Sequence, residues 1–196
     1  IYPMRVNLME RIDERMKAAW QRVAAQYPAY SLVLPGDPAF ICQAQECTAH
    51  CCHAFSVSLG ELEVERMAQR SGLAPSRFLE SEDGEPLALP LLQPYLLSRE
   101  GGHCSLLQDD MSCGQYDGRP DACRLYPFQV VLVGEDGPTT VATGDYIELA
   151  LGNLMADEDT ERVPLLLRHL ECPGFTGEPL TLKEWTAKTM DVAVLG

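Results

Sequence analysis

Residues 42–53 read Cys-Gln-Ala-Gln-Glu-Cys-Thr-Ala-His-Cys-Cys-His, and residues 113–128 read Cys-Gly-Gln-Tyr-Asp-Gly-Arg-Pro-Asp-Ala-Cys-Arg-Leu-Tyr-Pro-Phe. The first stretch packs Cys42, Cys47, Cys51 and Cys52 into eleven residues. Thiolates that close in sequence can converge on one ion or cluster with little loop entropy to overcome. Neighbouring cysteines rarely bond to each other, because the geometry is strained. Cys51 and Cys52 therefore each need a distant partner or a shared ion. Cys104, Cys113, Cys123 and Cys172 form a second set, so all eight cysteines of the chain fall into two groups of four.

Eight cysteines admit three explanations: disulfides, metal ligation or catalysis. A chain of 196 residues needs no disulfide staples to be stable. Tight clustering and the cytosolic context expected below weigh against the disulfide reading. Cys-x-x-Cys is absent, which removes the zinc-ribbon knuckle and the thioredoxin-type pair. The bacterial ferredoxin run is missing as well. A radical-SAM triplet would need a cysteine where Ala54 stands. Neither a Gly-rich nucleotide loop nor a Gly-x-Ser-x-Gly elbow is present.

Working outward, the composition is 46% hydrophobic and 22% charged, enough to bury a core. The formal net charge is −14. That acidity repels phosphate backbones and anionic membrane surfaces, so neither nucleic acid nor membrane is an expected partner. No apolar run approaches the roughly 20 residues that cross a bilayer. The opening residues lack a basic, apolar, small-residue pattern, so no signal peptide is expected and the expected location is cytoplasmic.

Leu8, Ile12, Met16, Ala19 and Val23 recur at helical spacing, predicting an N-terminal helix within residues 1–30, closed before Pro28. The remainder, 31–196, reads as one cysteine-cluster domain. Residues 31–57 read as irregular backbone. Ser58 with Glu61 predicts a capping box opening a second helix that Gly72 stops. Pro75 to Glu80 predict a short helical turn. His103 to Tyr116 predict a hairpin carrying Cys104 and Cys113, and Phe128 to Thr143 a second hairpin through Glu135-Asp136-Gly137. Ile147 to Met155 predict a helix, and Thr181 with Glu184 a capping box for the last one. Trp20 and Trp185 are expected in the core. The fold class is α+β, mainly α-helical, with short β-hairpins and irregular metal-binding loops, a small single domain organised around a metal centre.

The combined pattern resembles the YkgJ-type cysteine-cluster family, a zinc- or iron-chelating domain with a Cys…Cys…Cys-Cys signature. The matching residues are Cys42, Cys47 and the Cys51-Cys52 pair, a glutamate-bearing helix after them, and Cys104 with Cys113. Arg119-Pro120 through Cys123-Arg124, Tyr126-Pro127-Phe128 and Cys172-Pro173-Gly174 complete it. The gap from Cys42 to Cys47 is wider than in the tightest form of that signature. The resemblance extends to the cysteine-rich part of flagellin lysine N-methylases, where it implies an iron–sulfur centre. The chain has no recognisable extra catalytic domain, so methyl transfer is not carried over.

Thiolates are soft ligands that favour Zn, Cu(I) and iron–sulfur clusters. The expected metal ligands are Cys42, Cys47, Cys51, Cys52, Cys104, Cys113, Cys123 and Cys172. They would hold one or two iron–sulfur clusters of the [4Fe–4S] type, with Zn²⁺ as the alternative. Both groups could hold separate centres; interleaving is favoured, because it staples the two halves of the fold. Four thiolates leave a centre near −2 by ligand counting. Arg119 and Arg124 flank Cys123 and can compensate that charge from behind the ligands. His50, His53, His103 and His169 sit near cysteines; a supporting or surface role is expected ahead of imidazole ligation by one of them. The expected partner is a protein redox partner or a protein substrate. The alternative is a non-enzymatic zinc scaffold or metal-trafficking module.

Overall fold

The first apolar stripe forms α1 (Leu8–Val23). Asn7 caps it, accepting from the Met9 N–H while Glu10 reaches back to the Asn7 N–H. Ile12, Met16, Ala19 and Val23 are buried, whereas Leu8 is exposed at the helix start. The computed structural model describes residues 7–139, 144–158 and 161–195. After α1 come β1 (Tyr30–Val33), β2 (Pro38–Phe40), α2 (His50–Ala54), β3 (Ser58–Leu59), α3 (Glu61–Ser71), β4 (Ser81–Glu82), β5 (Glu85–Pro86) and β6 (Tyr95–Leu96). Then follow β7 (Arg99–Glu100), β8 (His103–Cys104), α4 (Asp121–Leu125), β9 (Phe128–Gly134), β10 (Gly137–Thr139), α5 (Gly144–Met155), β11 (Val163–His169), β12 (Phe175–Pro179) and α6 (Leu182–Leu195). This is the α+β class expected, with six α-helices among the described residues and antiparallel sheets. The elements form two units, Ile1–Ile41 with Pro127–Gly196, and Cys42–Tyr126.

The first unit is built on a four-stranded antiparallel sheet in the order β1-β11-β9-β10. Sequence reading did not anticipate β11, where Val163 to Leu167 are buried without a break. Consecutive buried residues mean that both faces of the strand are covered. Helix α1 packs on β9 and β11, α5 on β11, and α6 on β9 and α5. Trp185 on α6 is fully buried and donates its Nε1–H to the Val33 carbonyl at 2.8 Å. Trp20 departs from expectation: it lies beside the stripe rather than on it, half-buried, its ring 6.5 Å from that of Tyr27. The hairpin of β9 and β10 forms as predicted through Thr139; residues 140–143 lie outside the described residues. Thr181 and Glu184 cap α6 reciprocally.

A second pairing in this unit, β2 with β12, corrects the expectation of irregular backbone through residues 31–57, as do β1 and α2. The rings of Phe40 and Phe128 meet edge-on at 5.9 Å, and Phe175 joins both. Gly174 is required here. A Cβ would stand 2.6 Å from the Phe40 ring and 2.7 Å from the Ile41 carbonyl, while the Ile41 N–H donates to Gly174 O at 2.7 Å.

The second unit has a different texture. Its strands, β3 with β6, β4 with β5 and β7 with β8, are two residues long. Helix α3 begins at Glu61, not Ser58. Leu59 is buried opposite Tyr95 in the β3–β6 pair, and the Ser58 hydroxyl bonds Gln93, so that serine cannot cap the helix. Gly60 takes the cap position, with the Glu63 carboxylate accepting its N–H at 3.0 Å. Gly72, at φ +68, ends the helix in the left-handed region. Pro75–Arg77 form the short turn expected. Leu59, Met67, Phe78, Leu79 and Leu97 make the core of this unit, and Cys104 is buried among them. Cys52 and Cys123 pack against the same cluster.

Candidate metal centre

Three backbone devices bring the second unit's cysteines together. The first is α2, which carries the Cys51-Cys52 pair. Its N-cap, Ala49, is buried in the left-handed conformation at φ 51, and its carbonyl accepts the Cys52 and His53 N–H groups. That conformation is unfavourable for a residue with a Cβ, and it turns the chain sharply between Cys47 and Cys51. The second is the pairing of β7 with β8, which sets Cys104 opposite Arg99. It runs on into a loop closed by Leu107 bridging Cys113, and by the Gly114 N–H donating to Leu106 O. The third is α4, which presents Cys123.

Glu63 fixes α4 in place. Its buried carboxylate accepts the Asp121 N–H at 2.8 Å while also capping α3. Arg66 adds a 2.8 Å bond to the Asp121 carboxylate and one to the Arg119 carbonyl. Pro120 sits just before the helix as its cap residue.

Seven thiols, those of Cys42, Cys47, Cys51, Cys52, Cys104, Cys113 and Cys123, line one cavity of ≈ 70 Å³. Both sequence groups contribute to it. Cys172 belongs to the first unit, in the turn between β11 and β12. Val57, Leu97 and Leu106 supply apolar wall, and Phe55, Met111 and Tyr116 are exposed residues on the same lining. No disulfide joins any cysteine among the described residues. The Sγ atoms of Cys51 and Cys52 are 4.0 Å apart. Among the described residues no group of three or more His, Cys, Asp or Glu side chains is placed to hold a metal ion as it stands.

The electrostatics of the cavity keep most of its thiols protonated. Hydrogen bonding from Cys52 is the main reason that Cys51 and Cys104 are each lowered to about 7. Cys52 itself is pushed up, by Cys104 first and then by Cys51. One thiol proton thus serves two neighbouring sulfurs. Burial raises Cys42 and Cys113, and lifts Cys123 to about 12, with neighbouring thiolates adding to each. Buried like charges cannot all ionise without a positive partner. The cavity wall offers Arg119 and Arg99. Arg119 stacks on Tyr116, 3.8 Å from the ring centroid, and favours the thiolates of Cys42, Cys51, Cys113 and Cys123. A dense set of soft donors, mutually repelling when ionised, fits a thiophilic metal centre.

Arg124 lies elsewhere. It is paired with Asp121 at 3.1 Å and exposed, and is not part of the cavity lining. His50 packs between Phe55 and Tyr126, and His53 against His103 at 5.4 Å; none of the three lines the cavity. His169 is buried in the first unit beside Tyr30. Sequence reading missed Arg99 altogether, since nothing local marks it. Glu63 was legible only as an acid favouring the helix start, not as the cap of a second helix 58 positions away.

A cysteine-lined cavity in an α+β scaffold defines a metal-binding protein. The chain belongs to the CxxCxxCC family, described as "Putative zinc- or iron-chelating domain", whose profile matches residues 41–163. The match spans the whole second unit with β9, β10 and α5, and ends before Cys172. Neither the curated proteins nor the solved structures yield a match. Among the described residues no helix is long and apolar enough to cross a membrane.

Proposed function

We propose that the cavity holds a cysteine-ligated iron–sulfur centre, and that the protein uses it to exchange electrons with a protein partner or to modify a protein substrate. The observation that carries this reading is the convergence of seven thiols on one cavity of ≈ 70 Å³. One water-sized occupant needs only roughly 10–15 Å³, so the space suits a cluster better than a lone ion. The ligands come from Cys42, Cys47, Cys51, Cys52, Cys104, Cys113 and Cys123. Such a centre supplies reversible one-electron chemistry at a potential set by its surroundings. The chain's own part is to exclude water with Val57, Leu97 and Leu106, and to place Arg119 where its charge favours the reduced, more negative state. The thiols must stay reduced, which the cytoplasm ensures.

A second reading rests on the Cys51 and Cys52 sulfurs. Tetrahedral zinc, with Zn–S bonds of ≈ 2.3 Å, places its sulfurs about 3.8 Å apart, and this pair stands at 4.0 Å. A zinc scaffold or trafficking module would follow. Anaerobic purification with total metal, acid-labile sulfide and a visible spectrum on one sample separates the two. Iron and sulfide in matching amounts, with broad absorbance near roughly 400 nm, are expected. A colourless protein with stoichiometric zinc and no sulfide overturns the cluster reading.

A further inference from the structure

Arg99 makes more backbone contacts than any structural role on its own short strand requires. Its guanidinium donates to four carbonyls: Cys52 at 3.4 Å, His53 at 2.8 Å, Phe55 and Gly102. Three of these acceptors close the C-terminal end of α2, the five-residue helix that carries Cys51 and Cys52. The fourth belongs to the tight turn between β7 and β8, two residues before Cys104. The Arg99 N–H is itself held by Glu80 Oε1 at 3.1 Å. The side chain also lines the thiol cavity.

Helix α2 is far too short to be stable alone, since isolated helices below ~12–15 residues are marginal. The pairing of β7 with β8 is equally short. Neither element can hold its cysteine at a fixed distance from the other's. A planar guanidinium with five N–H donors in a rigid fork can bridge four carbonyls at once; an ammonium with three donors cannot.

We infer that Arg99 is the positioning residue of the metal centre, clamping the Cys51-Cys52 helix to the Cys104 turn so that their sulfurs face one cavity. This rests on the reading of that cavity as a metal site. Arg99 acts through the backbone and touches no metal. Its charge stands beside Cys104, whose thiolate it favours, so the same group that fixes the geometry offsets the charge of the deepest ligand.

The test uses the full chain, purified anaerobically with its metal, as wild type, Arg99→Lys and Arg99→Gln. Metal release to a strong chelator is timed, the visible or cobalt-substituted spectrum recorded, and far-UV circular dichroism used to confirm folding. Arg99→Gln is expected to release metal about 10–100-fold faster, the usual range for groups supporting metal ligands. Arg99→Lys keeps the charge but not the fork, and is expected to follow Gln rather than wild type, with a shifted ligand-to-metal absorption band in both. If either variant does not fold, Glu80→Ala, which removes the acceptor of the Arg99 N–H, is expected to show the same acceleration in weaker form. Wild-type rates and an unshifted band in metal-loaded variants overturn the role of Arg99 alone. A wild-type protein that binds no metal overturns the site reading, and the clamp with it.

Discussion

The two units reach order by different means. The first joins seven-residue strands, β9 and β11, into a sheet whose central strand is buried on both faces, and covers it with α1, α5 and α6. The second has two-residue strands, a single long helix, and seven of the eight cysteines. Ladders that short contribute few backbone hydrogen bonds, and an isolated two-stranded pair is marginal in water. On the proposed metal-site reading, the thiols make up for these short ladders, because side chains gathered on one centre hold what the backbone holds only weakly. In the first unit burial alone supplies the order; the second adds a smaller apolar core, and on the proposed reading a bound metal tightens it further.

The largest test of that contrast is metal removal. Structural zinc in small zinc-finger peptides supplies apparent folding energies of about 10–16 kcal/mol at neutral pH, which sets the scale for a thiolate-held metal. A chelator under reducing conditions is expected to expose the amides of α3, α4 and the β7–β8 turn to rapid hydrogen exchange, while β9 and β11 keep their protection. Equal loss in both units would break the comparison.

A pair of substitutions sharpens it. Leu166→Ala, at a fully buried position of β11, is expected to cost about 2–5 kcal/mol of stability and leave metal content unchanged. Glu63→Gln removes a charged acceptor from the Asp121 N–H and is expected to cost less, about 1.5–3 kcal/mol. Its metal should nevertheless be lost to a chelator several-fold faster, because Cys123 sits on the helix it caps. Thermal unfolding with parallel metal assay decides both. If Leu166→Ala sheds metal as readily as Glu63→Gln, the units are not energetically separable.

The smallest effect concerns the metal-free thiols. Cys51, lowered to about 7 by hydrogen bonding from Cys52, is expected to be largely thiolate above that pH. Cys123, raised to about 12 by burial, stays protonated. Since the thiolate is the nucleophile, alkylation mapped by mass spectrometry should mark Cys51 well before Cys123, and the difference should shrink as pH falls below 7. Equal labelling at pH 8 contradicts the assigned environments.

What was legible in the sequence was local. The stripe of α1, the Thr181–Glu184 cap and the Gly72 stop each depend on residues a few positions apart. The cysteine spacing announced a metal centre for the same reason. What escaped depended on distant partners. The run Val163 to Leu167 has no alternation to betray a strand, and Pro164 argues against a central one; only its pairing with β1 and β9 defines it. Ser58 and Gly60 both precede a glutamate by three residues, and the choice between them fell to Tyr95 and Gln93, more than thirty positions on. Arg119 stands four positions before Cys123 and Arg124 one after it, and both read as flanking residues, yet Tyr116 draws one to the cavity and Asp121 holds the other away. Arg99 carries no signal at all, because its partners are carbonyls, which every residue has.

The meeting of Phe40 and Phe128 has a bearing on engineering. The chain leaves the first unit just after one of these rings and returns to it just before the other, with the edges 5.9 Å between centroids. Everything between is the cysteine-bearing segment, 42–126. Exit and re-entry points that adjoin are what allows one fold to be spliced into a loop of another without disturbing its host. The molecule is thus organised like a carrier with an exchangeable cartridge. Protein engineers can therefore cut the chain at the same two aromatic gateposts and exchange the segment between them.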